Sequence, residues 1–318
     1  MRTYYTFFLI SCIFLLIFAL DKNFLSIHEK SMLVRNVIKR PLIVVCTTNI
    51  IADAVHAIAG DKIIVHTLMG PGVDPHMYRA RESDVHKLAA ADIIFYNGLH
   101  LEGKMGLILK NMHSYKHTVA VTDALPATQL RLLDTATNTA DPHVWLDVTR
   151  WITCVRSIGA VLADADPTHA TEYTNGTCRY VQQLTCLDNY VRSTIQKLPK
   201  NKRILVTAHD AFGYFGLAYG FTVVGLQGIS TESETAISDI RKLVAFLIAH
   251  QIPAMFVESS IPQRSLEAVQ YAAASQGWPV KIGPELYTDS LGPLDSPAQT
   301  YSGMIQHNIN AIVTTLLD

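Results

Sequence analysis

The sequence carries almost no excess charge of either sign. Its 318 residues include 26 Lys and Arg against 27 Asp and Glu, which gives a net charge of -1. Binding to a nucleic-acid backbone depends on a surplus of cationic side chains, so we expect no nucleic-acid partner. Charged residues make up only 17% of the chain and hydrophobic residues 49%, which excludes an intrinsically disordered protein.

Cysteine is too scarce and too scattered to form a disulfide framework. The chain has 5 cysteines. Two of them, Cys178 and Cys186, are eight positions apart on one predicted helix, which is beyond the reach of a disulfide. We therefore expect all of the cysteines to be ordinary thiols.

Long hydrophobic runs are absent except at the N-terminus. Arg2 precedes an apolar run at residues 7–20, in which Ser11 and Cys12 are the only interruptions. This pattern is typical of a secretory signal, and we assign residues 1–26 to a signal sequence or to an uncleaved N-terminal anchor. Lipidation at Cys12 is a third alternative. Each version places the rest of the chain in the periplasm or on the extracytoplasmic face of the cell membrane.

The rest of the chain alternates short apolar segments with amphipathic helical ones. This alternation is typical of parallel sheets covered by helices on both faces. It occurs in two series, which predict an N-terminal α/β lobe at residues 41–166 and a C-terminal α/β lobe at residues 199–318. The predicted strands lie at residues 41–46, 62–66 and 92–96 in the first series and at 203–207, 221–224, 254–257 and 280–282 in the second.

Residues 167–198 predict one long helix between the two lobes. The segment has no proline after its first residue, and its apolar positions recur at helical spacing. If it is helical throughout, it spans about 48 Å, with Gly176 as its weak point. Such a helix is a stiff spacer that limits the movement of one lobe against the other.

The tripeptide Asp-Pro-His occurs twice, as Asp74-Pro75-His76 and as Asp141-Pro142-His143. Composition alone would give on the order of 0.03 copies, so the repetition calls for a function. Proline restricts its own backbone and that of the preceding Asp, and the following imidazole is therefore presented from a stiff turn. Stiff presentation suits a metal ligand.

Two further candidate ligands lie in the C-terminal series. His209 immediately follows a predicted strand, and Asp289 lies just beyond the last one. Ligands of open α/β sheets sit at the carboxyl ends of strands. Together with His76 and His143 these residues supply three imidazoles and one carboxylate, two ligands from each lobe, which is enough for a metal site that bridges the lobes.

Several segments resemble those of the TroA-like zinc- and manganese-binding solute receptors of ABC importers. The similar segments are residues 70–76, 97–102, 141–145, 206–215, 225–228, 257–260 and the region of Asp289. The resemblance runs in order from about residue 41 to the C-terminus. It implies two α/β lobes joined by one backbone helix, with His76, His143, His209 and Asp289 as ligands. It also implies a cargo metal that is delivered to a membrane permease powered by an ATPase, and we expect a monomer that is not an enzyme.

The sequence leaves the identity of the metal open among zinc, manganese and iron. Zinc-dedicated relatives often have a long His-rich loop before the second ligand, but here residues 104–140 contain only His113 and His117. Manganese-dedicated relatives tend to replace the third histidine by glutamate, but this chain keeps His209. Three imidazoles with a carboxylate favour zinc over manganese in raw affinity.

Two other functions compete with the receptor. A metal-dependent hydrolase would use the same interlobe site, with an open metal position and a general base, for which Glu258 is the one candidate. An adhesin would need an adhesive repeat or an exposed apolar tract, and the composition offers neither.

Five of the remaining histidines fall into three groups, and the others are expected to be ordinary side chains: His28, His66, His169, His250 and His307. His56 and His86 lie on the polar faces of predicted helices and are expected to be solvated. His113 and His117 are four apart and could hold a metal if that segment were helical. His100 lies near Glu102 in a segment that resembles the family and could support the metal site from outside the ligand shell.

Overall fold

The computed structural model describes residues 40–134, 139–232 and 235–317. The predicted signal or anchor at residues 1–26, with Cys12, lies outside the described residues. Within the described part, no helix combines the length and the apolar character that crossing a bilayer requires. The other four cysteines are free thiols, as expected: Cys46 and Cys154 are buried, and Cys178 and Cys186 are exposed.

The N-terminal lobe is built on a parallel sheet of four strands in the order β2-β1-β3-β4. Its central strand β1 is almost completely buried, which explains why it is a continuous apolar run and not an alternating one. The strands are β1 (Leu42–Thr48), β2 (Ile63–Met69), β3 (Ile93–Tyr96) and β4 (His117–Ala120). The helices are α1 (Asn49–Ala59), α2 (Glu82–Ala90), α3 (Gly106–His113) and α4 (Val148–Ala165). A small antiparallel pair, formed by β5 (Leu132–Asp134) and β6 (Thr139–Ala140), precedes α4.

One long helix, α5 (Ala170–Ile195), leads from the first lobe to the second. Its 26 residues span about 39 Å, less than the predicted length, because residues 167–169 form a separate 3-10 turn and the helix ends at Ile195. Gly176 is not a weak point. A Cβ atom at this position would lie 2.0 Å from the carbonyl oxygen of Ile58, so the glycine is what lets α5 lie directly against α1.

The C-terminal lobe repeats the architecture of the first. Its four parallel strands are arranged in the order β10-β9-β7-β8, so that β7 and β9 are neighbours at the centre. The strands are β7 (Ile204–His209), β8 (Thr222–Gln227), β9 (Ala254–Glu258) and β10 (Lys281–Leu286), and the helices are α6 (Gly213–Tyr219), α7 (Ile237–Ala249), α8 (Arg264–Ser275) and α9 (Tyr301–Leu317). The predicted fold class, two α/β lobes with parallel sheets and one backbone helix, is confirmed.

The largest apolar core is shared by the two lobes. It contains buried side chains of β1, α1 and α4 from the first lobe, of α5, and of α6 and α9 from the second. Fully buried aromatic rings such as Trp151 and Tyr301 pack against each other within it, with centroids 5.7 Å apart. The chain from Pro41 onward consequently forms one compact unit. Separating the lobes widely would expose this core, so large opening movements are disfavoured.

Candidate metal centre

His76, His143, His209 and Asp289 converge on one point between the lobes. All four side chains are buried, and the ligand atoms that they offer lie within 4.8 Å of one another. His209 is the last residue of β7, and Asp289 follows β10 by three residues. The carboxyl ends of the strands in the C-terminal sheet thus supply half of the cluster, as open α/β sheets generally do.

The spacing of the ligand atoms fits a tetrahedral metal ion. The Nε2 atom of His143 lies 3.3 Å from Nε2 of His76 and 3.4 Å from Nε2 of His209. The carboxylate oxygens of Asp289 lie 3.4 Å from Nε2 of His143, 3.4 Å from Nε2 of His209 and 3.9 Å from Nε2 of His76. Atoms bound about 2.0–2.1 Å from a tetrahedral metal are about 3.3–3.4 Å apart. Four of these five distances match that value, and only the distance between His76 and Asp289, at 3.9 Å, is longer.

The carboxylate of Asp289 needs a cation. Both of its oxygens are buried and accept no hydrogen bond. A buried, ionised carboxylate without hydrogen bonds is strongly destabilising unless a positive charge compensates it. Protons on the imidazoles of His143 and His209, whose pKa values are raised, compensate it without metal. A metal ion held by the same rings would supply that charge when it displaces the protons, so the residues present fit a divalent transition metal.

The two Asp-Pro-His segments fold into the same local structure. Oδ1 of Asp74 accepts a hydrogen bond from the backbone N–H of His76 at 2.8 Å, and Oδ1 of Asp141 does the same for His143 at 3.0 Å. An Asp side chain that binds the backbone two residues on closes a tight turn. This common turn is the reason for the repeated tripeptide, since it fixes the backbone of each histidine before any metal arrives.

Carboxylates orient two of the three imidazoles from outside the cluster. Oδ1 of Asp141 lies 2.8 Å from Nδ1 of His143. Oε2 of Glu258 lies 2.7 Å from Nδ1 of His209 and also accepts the hydroxyl of Thr288, while Oε1 accepts the backbone N–H of His209. A carboxylate at Nδ1 places the proton there and leaves Nε2 free to bind a metal.

The pKa values of the cluster reflect burial together with strong coupling. Burial lowers the pKa of His76 to about 4, because the negative charge of Asp289, which acts to raise this pKa, offsets the burial only in part. Burial also acts to lower the pKa values of His143 and His209, but neighbouring carboxylates outweigh it and raise both. For Asp289 burial acts to raise the pKa, yet the imidazoles hold it well below its usual range. The carboxylate is therefore ionised and His76 neutral at pH 7.

Sequence reasoning considered Glu258 only as a possible catalytic base. The structure shows that it supports His209 instead, because β9 lies beside β7 and ends next to it. The position of Glu258 at the end of a buried strand could be read from the sequence. The strand order, which decides which strand ends are neighbours, could not.

The other histidines of residues 40–134, 139–232 and 235–317 stay apart from the cluster. His100 is exposed, with a left-handed backbone at φ 65°, and Glu102 binds the backbone N–H groups of Asn97 and Gly98, so it organises its own loop. His113 and His117 do not share a helix, because α3 ends at His113 and His117 begins β4, so the condition for a metal pair there is not met; both side chains are exposed. His56 and His86 are exposed, as expected.

Comparison with known protein families gives a match over residues 44–315. The matching family is described as ZnuA, the periplasmic component A of a zinc-uptake complex. The match therefore begins within β1 and ends near the last turn of α9, and it includes all four residues of the cluster.

Similar proteins carry names that refer to several metals. The zinc-binding protein TroA of Treponema pallidum is 47% identical over 87% of this chain and 89% of its own length. The manganese-binding lipoprotein MntA of Bacillus subtilis is 44% identical over 86% of this chain and 89% of its own length. The solved structure of the periplasmic zinc-binding protein TroA from Treponema pallidum superposes with a TM-score of 0.84 at 46% identity, covering 87% of this chain and 99% of that one.

Proposed function

Because the chain belongs to the ZnuA family of periplasmic zinc-uptake components, we propose that it is the solute-binding component of an ABC importer for a divalent transition metal. It captures one metal ion between its two lobes and delivers the ion to a membrane permease. The observation that carries this proposal is the buried carboxylate of Asp289, whose unpaired oxygens face three imidazole nitrogens.

Each lobe contributes two of the ligands. His76 and His143 bind through Nε2 from the N-terminal lobe, while His209 and one carboxylate oxygen of Asp289 bind from the C-terminal lobe. The metal thereby ties the lobes together around a core that they already share. The cargo is zinc, manganese or iron: relatives are named for zinc, for manganese and for iron. Zinc is expected to bind most tightly of the three.

The geometry supports a receptor and not an enzyme. Four protein ligands complete a tetrahedral sphere and leave no position for an activated water, which catalytic metal sites keep open. Glu258, the base that a hydrolase would need, uses Oε1 for the backbone of His209 and Oε2 for Thr288 and the imidazole. A metal-dependent ester, phosphoester or peptide hydrolysis that is lost in Asp289→Ala would overturn this assignment.

The location and the partners follow from the same proposal. The chain acts outside the cytoplasm: the family model describes a periplasmic component, and several relatives are named as lipoproteins. Its N-terminal segment is a cleaved secretory signal, a signal lipidated at Cys12 or an uncleaved anchor. The partner is the permease, which a cytoplasmic ATPase powers, and the receptor works as a monomer without a nucleic-acid partner.

The metal content of the purified protein tests the proposal. The full chain is purified without chelators, beside a His76→Ala, His209→Ala double variant, and both are analysed by elemental mass spectrometry. We expect about one equivalent of zinc, manganese or iron in the wild type and none in the variant. A wild type that is free of metal and does not bind added zinc or manganese would overturn both the site and the function.

A further inference from the structure

Arg131 lies between two carboxylates that come from opposite lobes. Its Nη1 atom donates to Oδ2 of Asp141 at 2.9 Å, and its Nη2 atom donates to Oδ2 of Asp210 at 3.1 Å. Asp141 is the first residue of the second Asp-Pro-His turn in the N-terminal lobe, and Asp210 directly follows His209 in the C-terminal lobe. One guanidinium therefore connects the backbone segments of two of the proposed ligands.

The carboxylate of Asp141 divides its oxygens between the imidazole and the guanidinium. Oδ1 faces both the Nδ1 atom and the backbone N–H of His143, and Oδ2 faces Arg131. Asp141 is completely buried, so its two oxygens depend on these partners for their hydrogen bonds. Without Arg131 the carboxylate would lose the contact that holds its second oxygen and would be free to rotate away from His143.

The C-terminal lobe is shaped around this contact. A Cβ atom at Gly213 would lie 2.5 Å from Nη1 of Arg131 and 2.7 Å from Oδ2 of Asp141, so only glycine leaves room for the pair. The hydroxyl of Tyr214 accepts the backbone N–H of Arg131 at 3.0 Å and donates to the backbone carbonyl of Asp141 at 3.0 Å. The segment that follows His209 thus holds both ends of the contact in place.

We propose that Arg131 is a positioning residue for metal capture, which couples His143 of one lobe to His209 of the other and slows the release of the metal. The inference rests on the proposed function, but it concerns a residue that does not touch the metal. Arginine suits this role because its planar guanidinium can present parallel N–H groups to two carboxylates at once, whereas lysine presents a single ammonium.

A second interlobe ion pair provides a matched control. Nζ of Lys104 lies 3.0 Å from Oε1 of Glu232, and both side chains are partly exposed, at 32% and 40%. This pair joins the two lobes as the Arg131–Asp210 contact does, but it involves neither Asp-Pro-His turn. Thr231, next to Glu232, donates to Oδ2 of Asp74 at 2.6 Å. Lys104→Gln removes a cation and an interlobe contact but leaves that hydrogen bond to the first turn in place.

The test measures how fast zinc leaves the loaded full chain after it is mixed with an excess of chelator. We expect Arg131→Gln to raise the dissociation rate about 10- to 100-fold, the range typical of lost support to a metal-ligating histidine.

Arg131→Lys is expected to restore part of the slow release. Asp210→Asn is expected to raise the rate less than Arg131→Gln, since it leaves the contact with Asp141 in place. Lys104→Gln is expected to stay within about twofold of the wild type because exposed ion pairs contribute little.

The outcomes separate this inference from the proposed function. A wild type that binds no zinc would overturn the function itself. A wild type that binds one equivalent, with an Arg131→Gln rate within twofold of its own, would overturn only the role of Arg131. An equal rise in Lys104→Gln would also overturn it, because the effect would then come from any interlobe ion pair. If Arg131→Gln does not fold, as judged by its thermal unfolding without metal, Arg131→Lys and Asp210→Asn decide the matter: rates equal to that of the wild type in both would refute the coupling.

Discussion

The imidazole of His209 is held from behind by Glu258. The Nδ1 and Oε2 atoms are 2.7 Å apart, and Oε1 accepts the backbone N–H of the same histidine at 2.9 Å. One buried carboxylate thus fixes both the ring and the backbone of a proposed ligand. Asp141 does the same for His143 through a single oxygen. His76 has only its backbone held in this way, by Asp74.

Replacing Glu258 by Gln should weaken metal binding while leaving the four ligands in place. The amide keeps the size of the side chain, but it carries no charge, and only one of its two terminal atoms can accept a hydrogen bond. We expect the metal dissociation constant to rise about 10- to 100-fold, measured by competition with a chelator of known affinity. Glu285→Gln, at an exposed position on β10, is the matched control and should have no effect. Equal affinities in the two variants would show that Glu258 does not support the site.

The residues proposed as ligands could be identified from the sequence, but the residues that support them could not. The repeated Asp-Pro-His turn and the positions of His209 and Asp289 after strands are local features, and the structure brings these four side chains together. Glu258 acts on His209 only because β9 lies beside β7. Strand order is a property of the tertiary fold, and no local pattern in this sequence specifies it.

Helix α5 illustrates the same limit. Its helical spacing predicted both its existence and its approximate bounds, since periodicity reports on which face is buried. Gly176 appeared unfavourable because glycine weakens an isolated helix. The close approach of Ile58 reverses that judgement, and only the packing of α5 on α1 reveals it.

Metal affinity should fall as the pH decreases, because two of the three histidines must lose a proton before they can bind the metal. The pKa values of His143 and His209 are raised above the ordinary histidine value of 6.5, so below about pH 6.5 a metal must displace a proton from each. His76, with a pKa lowered to about 4, and Asp289, with its pKa also lowered, are already deprotonated. Each displaced proton weakens the apparent affinity about tenfold per pH unit, so two give about a hundredfold.

The measurement is the apparent dissociation constant between about pH 5 and 6.5, together with proton release by calorimetry in two buffers of different ionisation enthalpy. Two protons per metal are expected across this range. The His76→Ala variant should bind more weakly but keep the same dependence on pH. A slope of one or less, or three protons released, would contradict the assignment of raised pKa values to His143 and His209.

Trp145 should matter for metal binding, whereas Trp278 should matter only for stability. Nε1 of Trp145 donates to the backbone carbonyl of Thr288 at 2.7 Å, next to Asp289 and across the lobe boundary. Nε1 of Trp278 makes an equivalent bond, 2.8 Å long, to the carbonyl of Ile252 within the C-terminal lobe. Substitution of either residue by Phe removes the N–H and leaves a carbonyl unpaired, at a cost of about 1–3 kcal/mol where it is buried.

Urea unfolding of the metal-free variants and titration with zinc distinguish these two effects. Both Trp→Phe variants should have a reduced free energy of unfolding. Only Trp145→Phe should bind zinc more weakly, since the loop that carries Asp289 loses the contact nearest to that residue among its hydrogen bonds to the N-terminal lobe. If Trp278→Phe lowers zinc affinity as much as Trp145→Phe does, the effect is one of general stability and the specific role of Trp145 is refuted.

Gly176→Ala should destabilise the protein although alanine is the better helix former. The added Cβ atom would lie 2.0 Å from the carbonyl oxygen of Ile58, and backbone on both sides of this contact belongs to helices, α5 and α1, that cannot shift independently. Overpacking of this kind typically costs about 1–3 kcal/mol. Gly106→Ala, in the first turn of α3 with no atom within 4 Å of the new Cβ, is the control and should be neutral or stabilising by up to about 1 kcal/mol. Urea unfolding without metal compares the two, and a Gly176→Ala variant as stable as the control would mean that α5 and α1 are less closely packed than this contact requires.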